Sequence, residues 1–104
     1  MLFQITHEHT HETCPGVVEE LGDRFGDWWQ TLKANPDVKV LAGYVSPMDH
    51  TFHITVEAAD YPPVARALGG LNAIGTGHTT PVITLDQAFP LADEGAFRLP
   101  GSQQ

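Results

Sequence analysis

Apolar and polar side chains alternate along four stretches of the chain, and this period of two is typical of β-strands. The predicted strands cover residues 2–9, 38–45, 50–58 and 79–87. Only Ser46-Pro47-Met48-Asp49 separates the second strand from the third, so these two are predicted to form a hairpin. The first strand has two distinct faces, one with Phe3, Ile5, His7 and His9, the other with Leu2, Gln4, Thr6 and Glu8.

Two further stretches carry apolar residues at intervals of three or four, which is the period of an amphipathic helix. The first follows the N-cap residue Thr13 and runs to about Lys33; the second follows Asp60. The order β-α-β-β-α-β predicts an α+β, ferredoxin-like sandwich with a four-stranded antiparallel sheet over residues 1–90. Residues 91–104 are predicted to be an irregular C-terminal tail.

The composition limits the classes of partner and compartment. A chain of 104 residues is one domain with a modest core, which is compatible with association of two copies. Thirteen acidic residues against five basic ones give a formal charge of −8, which argues against nucleic acid or an anionic membrane as a partner. A single cysteine forms no internal disulfide, and no apolar run has membrane-spanning length, so a cytoplasmic protein is expected.

The predicted topology brings the histidines together. In a ferredoxin-like sheet of order 4-1-3-2, the end of strand 1 lies beside the starts of strands 3 and 4. All six histidines are predicted to fall at this end of the sheet. His7 and His9 share one face of strand 1, about 6–7 Å apart, a spacing that lets two imidazoles reach one metal ion. Strand parity favours His50 as the third ligand, and His11 completes the predicted metal set.

Other residues are secondary candidates for metal binding or acid–base chemistry. His53 is predicted to point to the opposite face from His50, and His78 directly precedes the last predicted strand. Glu12 and Cys14 follow strand 1 closely enough to act as a ligand or to orient one. Three histidines with an open position suit a divalent ion such as Zn, Fe, Ni or Cu.

Trp28 and Trp29 are candidates for lining the cleft between the first helix and the sheet. Because they are adjacent on a helix, they cannot both face the centre of the core, and one is expected to fill the core instead. The pocket between sheet and helices leaves room for a small-molecule ligand.

The chain resembles the dimeric α+β barrel superfamily of small ferredoxin-like proteins. The resemblance covers most of residues 1–90 and rests on the Met-Leu-Phe strand start, the aromatic first helix, the hairpin GYVSPMDHTFHITVEA, the Leu-Gly-Gly-Leu helix ending and the TPVITL strand. That group includes muconolactone isomerases, cofactor-free antibiotic-biosynthesis monooxygenases and small metal-binding proteins. It implies a homodimer with two sheets face to face. The histidine cluster departs from the isomerase and monooxygenase patterns and favours a metal-binding member.

Three functions remain open at this point. The first is a transition-metal-binding protein, either a small metal-dependent enzyme or a metal carrier. The second is a cofactor-free isomerase or monooxygenase that uses imidazoles as general acid and base near neutral pH. The third is a non-enzymatic dimeric sensor or interaction module in which the imidazoles form a pH-dependent patch.

Overall fold

A computed structural model of the chain describes residues 1–95. It contains one four-stranded antiparallel sheet and three α-helices in this part of the chain, which confirms the predicted α+β class. The elements are β1 (Leu2–His9), α1 (Glu19–Lys33), β2 (Val38–Ser46), β3 (Thr51–Ala58), α2 (Tyr61–Leu68), β4 (Gly75–Val82) and α3 (Leu85–Asp93). Short 3-10 helices at His11–Thr13 and Gly69–Ala73 follow β1 and α2.

The strands lie in the order β2-β3-β1-β4, and every neighbouring pair is antiparallel. Helices α1 and α2 cover one face of this sheet, and the apolar residues of the alternating pattern point towards them. The opposite face, which we call the open face, carries the other residue of each alternation, such as Gln4 and Thr6 on β1 paired with Thr55 and His53 on β3. The side chains of the core that are less than 2 % exposed include Val38, Val56 and Val64.

Helix α1 begins later than the sequence pattern predicts, at Glu19. Thr13 does not cap it, because its hydroxyl oxygen accepts a hydrogen bond from the backbone N–H of Thr10 at 2.9 Å and closes the 3-10 turn instead. Backbone hydrogen bonds from Val17 and Val18 to the Cys14 carbonyl then form a separate turn before the helix. The intervening segment is therefore held close to the end of β1.

Two predicted boundaries in the C-terminal part of the described chain differ from the structure: the end of the last strand and the end of the folded domain. The last strand was predicted at residues 79–87, but β4 spans Gly75–Val82 and α3 follows it. The Thr84 hydroxyl accepts from the Gln87 backbone N–H at 3.0 Å while the Gln87 side chain accepts from the Thr84 backbone N–H at 2.9 Å. This capping box outweighs the local strand pattern. The predicted domain boundary at residue 90 falls inside α3, so residues 91–93 are helical, and residues 96–104 of the predicted tail lie outside the described chain.

Nothing between residues 1 and 95 forms a helix both long and apolar enough to span a membrane.

Candidate metal centre

Three potential metal ligands converge where β1 ends. One ligand atom each from His9, Cys14 and His50 lies within 4.8 Å of the other two. His9 is the last residue of β1, Cys14 ends the 3-10 turn that follows, and His50 closes the hairpin before β3. Three separate segments thus bring one imidazole–thiol–imidazole set to a single point.

The turn after β1 positions Cys14. Thr10 and Thr13 exchange hydrogen bonds across the 3-10 turn that directly precedes it. The carbonyl of Cys14 accepts from the backbone N–H groups of Val17 and Val18 at 3.0 and 2.9 Å. The free thiol is buried, so its sulfur points into the domain and not into solvent. These bonds hold the thiol beside His9.

His50 has an unusual backbone conformation, with φ of 53°. Among non-glycine residues this left-handed region is uncommon, although His, Asn and Asp enter it more readily than others. The carbonyl of His50 accepts a hydrogen bond from the His9 backbone N–H at 3.0 Å, which ties the hairpin to β1. The imidazole of His50 consequently lies edge-on to that of His9, with 5.5 Å between ring centroids.

His9 is the buried centre of the group. Its side chain is 8 % exposed, and neither ring nitrogen has a hydrogen-bond partner within the described chain. Burial is the main cause that lowers the pKa of His9 below its usual value, and the nearby His7 and His50 lower it further. A neutral imidazole with a free lone pair is the form that binds a metal ion. A buried ring without any hydrogen-bond partner is unfavourable, and residues 1–95 supply none for His9.

Glu12 and His11 lie on the solvent side of this group. Both are exposed, and the ring of His11 is 5.8 Å from that of His50. Hydrogen bonds from the backbone N–H of Glu12 and from the Thr10 hydroxyl lower the pKa of the Glu12 carboxyl, and the charges of His11 and His50 add to this effect. The carboxylate is therefore ionised over the whole neutral range.

His7 has a different partner from the one its spacing suggests. Its Nε2–H donates to the carbonyl of Leu71 at 2.9 Å, and the side chain is only 1 % exposed. Gly77 and Gly75 on β4 leave space for the ring, since a Cβ at Gly75 would lie 2.9 Å from the His7 Cε1. His7 stacks 5.7 Å from His9 but is not one of the three residues whose ligand atoms converge.

His53 and His78 lie on the open face of the sheet. Both are paired with Thr6 of β1, one from β3 and the other from β4, so they flank it on either side. His78 is within β4 and does not precede it. The four histidines on strands are thus divided between the two faces of the sheet, while His11 and His50 lie in the turns at its end.

The two tryptophans have separate roles. Trp28 donates from Nε1 to the Ala67 carbonyl at 3.2 Å and so links α1 to α2. Trp29 lies over Gly43 of β2, where an added Cβ would be 2.5 Å from the indole Cη2. Trp29 lines an apolar cleft of about 190 Å³ between α1 and β2, which also includes Phe25 and Phe52. The Phe52 ring is 4.8 Å from that of His9 and separates this cleft from the metal-ligand group.

Sequence spacing alone did not show that Cys14, and not His7, joins His9 and His50. The available signal was Pro15-Gly16 directly after the cysteine, a pair that predicts a turn and so a chain that folds back. The direction of that turn is not encoded in the local pattern.

Comparison with known proteins gives a fold likeness only. No protein-family model matches the chain, and no curated protein sequence is similar to it. One similar solved structure is a putative transposase from Deinococcus radiodurans R1, with a TM-score of 0.54 and 13 % identity. The match covers 92 % of this chain and 89 % of that one. At this identity the two chains share a fold, and the likeness carries no information on activity.

Proposed function

We propose that this chain is a small metal-binding protein in which His9, Cys14 and His50 hold one divalent transition-metal ion. The observation that carries the proposal is the buried imidazole of His9. Neither of its ring nitrogens has a hydrogen-bond partner among residues 1–95, and it lies within 4.8 Å of a thiol and a second imidazole. Buried polar groups in proteins are almost always satisfied. A metal ion would supply the partner that this group lacks.

The donor set favours zinc among the divalent ions. In a tetrahedral zinc site the ligand atoms lie about 3.3–3.6 Å apart, given zinc bonds of about 2.0–2.1 Å to nitrogen and 2.3 Å to sulfur. The ligand atoms lie within 4.8 Å of one another, so a bound zinc ion would require them to move closer together by about 1 Å. Two imidazoles and one thiolate leave a fourth position for the exposed His11, for water or for a substrate. A metal ion held there would supply Lewis-acid chemistry of the kind that a small metal-dependent enzyme uses. Iron, nickel and copper are the other expected outcomes of a metal analysis.

We propose a ferredoxin-like fold of the dimeric α+β barrel kind, in a cytoplasmic protein. The strand order β2-β3-β1-β4, with both crossover helices on one face of the sheet, supports the ferredoxin-like fold. A DNA-binding surface would need clustered basic residues, whereas this chain has a formal charge of −8.

A second candidate is a cofactor-free enzyme that uses His7 as a general base. A pocket of about 250 Å³ between α2 and the β1–β4 pair is lined by His7 together with polar Asn72 and Thr79. The Nε2–H of His7 is bonded to Leu71, so in the neutral ring Nδ1 is unprotonated, and it has no partner within residues 1–95. Activity of this kind would be insensitive to chelators and would be lost in His7→Gln.

Elemental analysis of protein purified without a His-tag tests the metal proposal. We expect about one transition-metal ion per chain, and loss of that ion in both Cys14→Ser and His50→Asn. His53→Asn is the matched control, because His53 lies on the open face and its loss should leave the metal in place. A wild-type protein that carries no metal, and whose melting temperature is unchanged by added zinc, would refute the proposal.

A further inference from the structure

Two imidazoles lie on the open face of the sheet, away from the metal-ligand group. In the strand register, Thr6 of β1 pairs with His53 of β3 on one side and with His78 of β4 on the other. Tyr44 of β2 pairs in turn with His53, so one row of four side chains crosses the whole sheet. Tyr44 is 70 % exposed, His78 is exposed and His53 is half-buried. This row, which we call the imidazole row, is accessible to a partner that covers the open face.

The open face carries little charge. Its charged residues are Glu8, Glu57 and Lys39, and the last two are paired in the register, so their charges offset each other. Most of the other side chains on this face are uncharged and form hydrogen bonds, as Thr55 and Thr80 can. The whole chain, by contrast, has a formal charge of −8. Two copies therefore repel each other least when they meet open face to open face, and depletion of charge is typical of an interface core.

The size of the open face fits a reversible dimer. Four strands about 4.8 Å apart and seven residues of about 3.4 Å each, from Leu2 to Glu8 on β1, give a projected area of about 450 Å². The accessible surface of a face is at least as large as its projected area, so two faces together bury about 900 Å² or more. Specific interfaces begin near about 1,000 Å² in total, and the smaller ones are weak and transient. A dimer of this size is sensitive to a small number of unfavourable charges.

Protonation of the imidazole row opposes such a contact. A neutral imidazole both donates and accepts hydrogen bonds, so it can be covered by the hydroxyl groups of a second open face. A charged imidazole that loses its water without gaining a carboxylate partner is costly. Among residues 1–95, neither His53 nor His78 forms an ion pair. The neutral row can therefore be buried between two copies, whereas the charged row favours contact with water.

The charged groups around the imidazole row are few. Glu8 is the nearest carboxylate on this face, one residue pair further along β1 than Thr6, and the phenol of Tyr44 carries no charge at neutral or acidic pH. Helices α1 and α2 pack on the opposite face, so they present no charge to the row. The first turn of α3 borders Leu2 at the far end of β1. One carboxylate per copy is thus available for two imidazoles.

We propose that protonation of His53 and His78 dissociates a homodimer that forms through the open face. The dimer rests on the proposed dimeric α+β barrel fold, whereas its control by the imidazole row does not depend on the metal ion. When one imidazole of each copy must stay uncharged in the dimer, each pH unit below its titration raises the dissociation constant about tenfold per copy, or about 100-fold for two copies. Histidine side chains change charge between about pH 5 and 8. The protein is then a dimer at neutral pH and a monomer in mild acid.

Sedimentation equilibrium of the full chain at pH 7.5 and 5.5 tests this control, with a chelator present to exclude any effect of metal. The wild type should be a dimer at pH 7.5, with a dissociation constant about 100-fold higher at pH 5.5. The double variant His53→Gln/His78→Gln retains uncharged hydrogen-bonding side chains and should be dimeric at both pH values. His11→Gln is the matched control, because it removes an exposed imidazole from the turn after β1 and should keep the full pH dependence. Circular dichroism at each pH confirms that every variant is folded.

A second pair of variants locates the interface. Thr6→Arg places a permanent charge inside the imidazole row and should be monomeric at both pH values. Gln30→Arg adds the same charge to the exposed side of α1, on the opposite face of the sheet, and should leave the dimer intact. A Thr6→Arg variant that remains dimeric would place the interface elsewhere and overturn the proposal.

The possible results separate this inference from the proposals on which it rests. A wild type that is monomeric at pH 7.5 would refute the dimeric barrel assignment and this inference together. A wild-type dimer that is equally stable or tighter at pH 5.5, or a pH dependence that survives in the double variant, would refute control by the imidazole row while the dimer stands. Metal binding is unaffected by any of these results, because elemental analysis tests it separately.

Discussion

Replacing His50 by glycine separates the role of its backbone from that of its imidazole. His50 has a φ of 53°, a conformation that costs an ordinary L-residue about 1 kcal/mol and glycine almost nothing. Glycine also raises the entropy of the unfolded chain, which costs about 0.5–1 kcal/mol. The two effects nearly cancel, so without metal His50→Gly should change the free energy of unfolding by less than about 1 kcal/mol.

With metal, the same variant should behave very differently from the wild type. A zinc ion at 100 times its dissociation constant stabilises the folded protein by about 2.7 kcal/mol. For a domain of this size, that corresponds to a rise in melting temperature of about 10–20 °C. His50→Gly removes one of three ligands, and most of this rise should disappear. Differential scanning calorimetry of untagged protein, in chelator and in excess zinc, measures both quantities.

His53→Gly is the control for this measurement, since it removes an imidazole from β3 on the open face. It should lower the melting temperature in chelator, because glycine weakens a strand, yet keep the full zinc-dependent rise. A zinc-dependent rise that survives in His50→Gly would refute the ligand assignment. A loss of more than about 2 kcal/mol in chelator would refute the argument from the backbone conformation.

Three further predictions concern the packing and charge of the site. Gly75→Ala should destabilise the fold by about 2–3 kcal/mol, because the added Cβ would overlap the neighbouring carbonyl of Glu8. At Gly77 an added Cβ would lie 3.4 Å from its nearest atom, so Gly77→Ala should cost less than about 1 kcal/mol. Urea unfolding of the two variants measures the difference. Burial lowers the pKa of His9 in the folded protein, so as the pH falls His9 is protonated in the unfolded chain before it is protonated in the folded one. The metal-free protein should therefore keep its full stability above about pH 6.5. Below that pH its free energy of unfolding should fall by up to about 1.4 kcal/mol per pH unit. Urea midpoints at pH 7.5 and 5.5 check this, and His9→Phe should flatten the dependence. Trp28→Phe leaves the Ala67 carbonyl without its donor and should cost about 1 kcal/mol, measured by the same unfolding assay; an unchanged midpoint would show that water replaces the indole.

The orientation of side chains within the strands could be predicted from the alternation of apolar and polar residues. The alternation in β1 predicted that Phe3, Ile5, His7 and His9 share the helix-covered face, and the burial along this strand has the same alternation. The opposite orientation of His53 relative to the helix-covered face was also predicted from strand parity. These features are local, because side chains two residues apart on a strand must point the same way.

The residues around the start of helix α3 carry local signals for both a strand and a helix. Residues 79–87 contain β-branched and alternating side chains that favour a strand, while Thr84 and Gln87 have the spacing of a capping box. Pairing of β4 with β1 ends at Val82, opposite Leu2, the first residue of β1. The chain then leaves the sheet, and the capping box between Thr84 and Gln87 begins α3.

The sequence by itself determined which histidines can share a face, since strand geometry gives His7 and His9 the same direction whatever surrounds them. It did not determine which of them is free to bind a metal. That was decided by contacts between residues distant in the chain. The carbonyl of Leu71, 64 residues further along, accepts a hydrogen bond from the Nε2–H of His7, whereas the ring of His9 has no such acceptor among the described residues. Cys14 joins His9 through the direction of a turn, and His50 joins through a left-handed backbone at a hairpin end. Periodicity governs orientation within an element, whereas the choice of ligands depends on how separate elements pack.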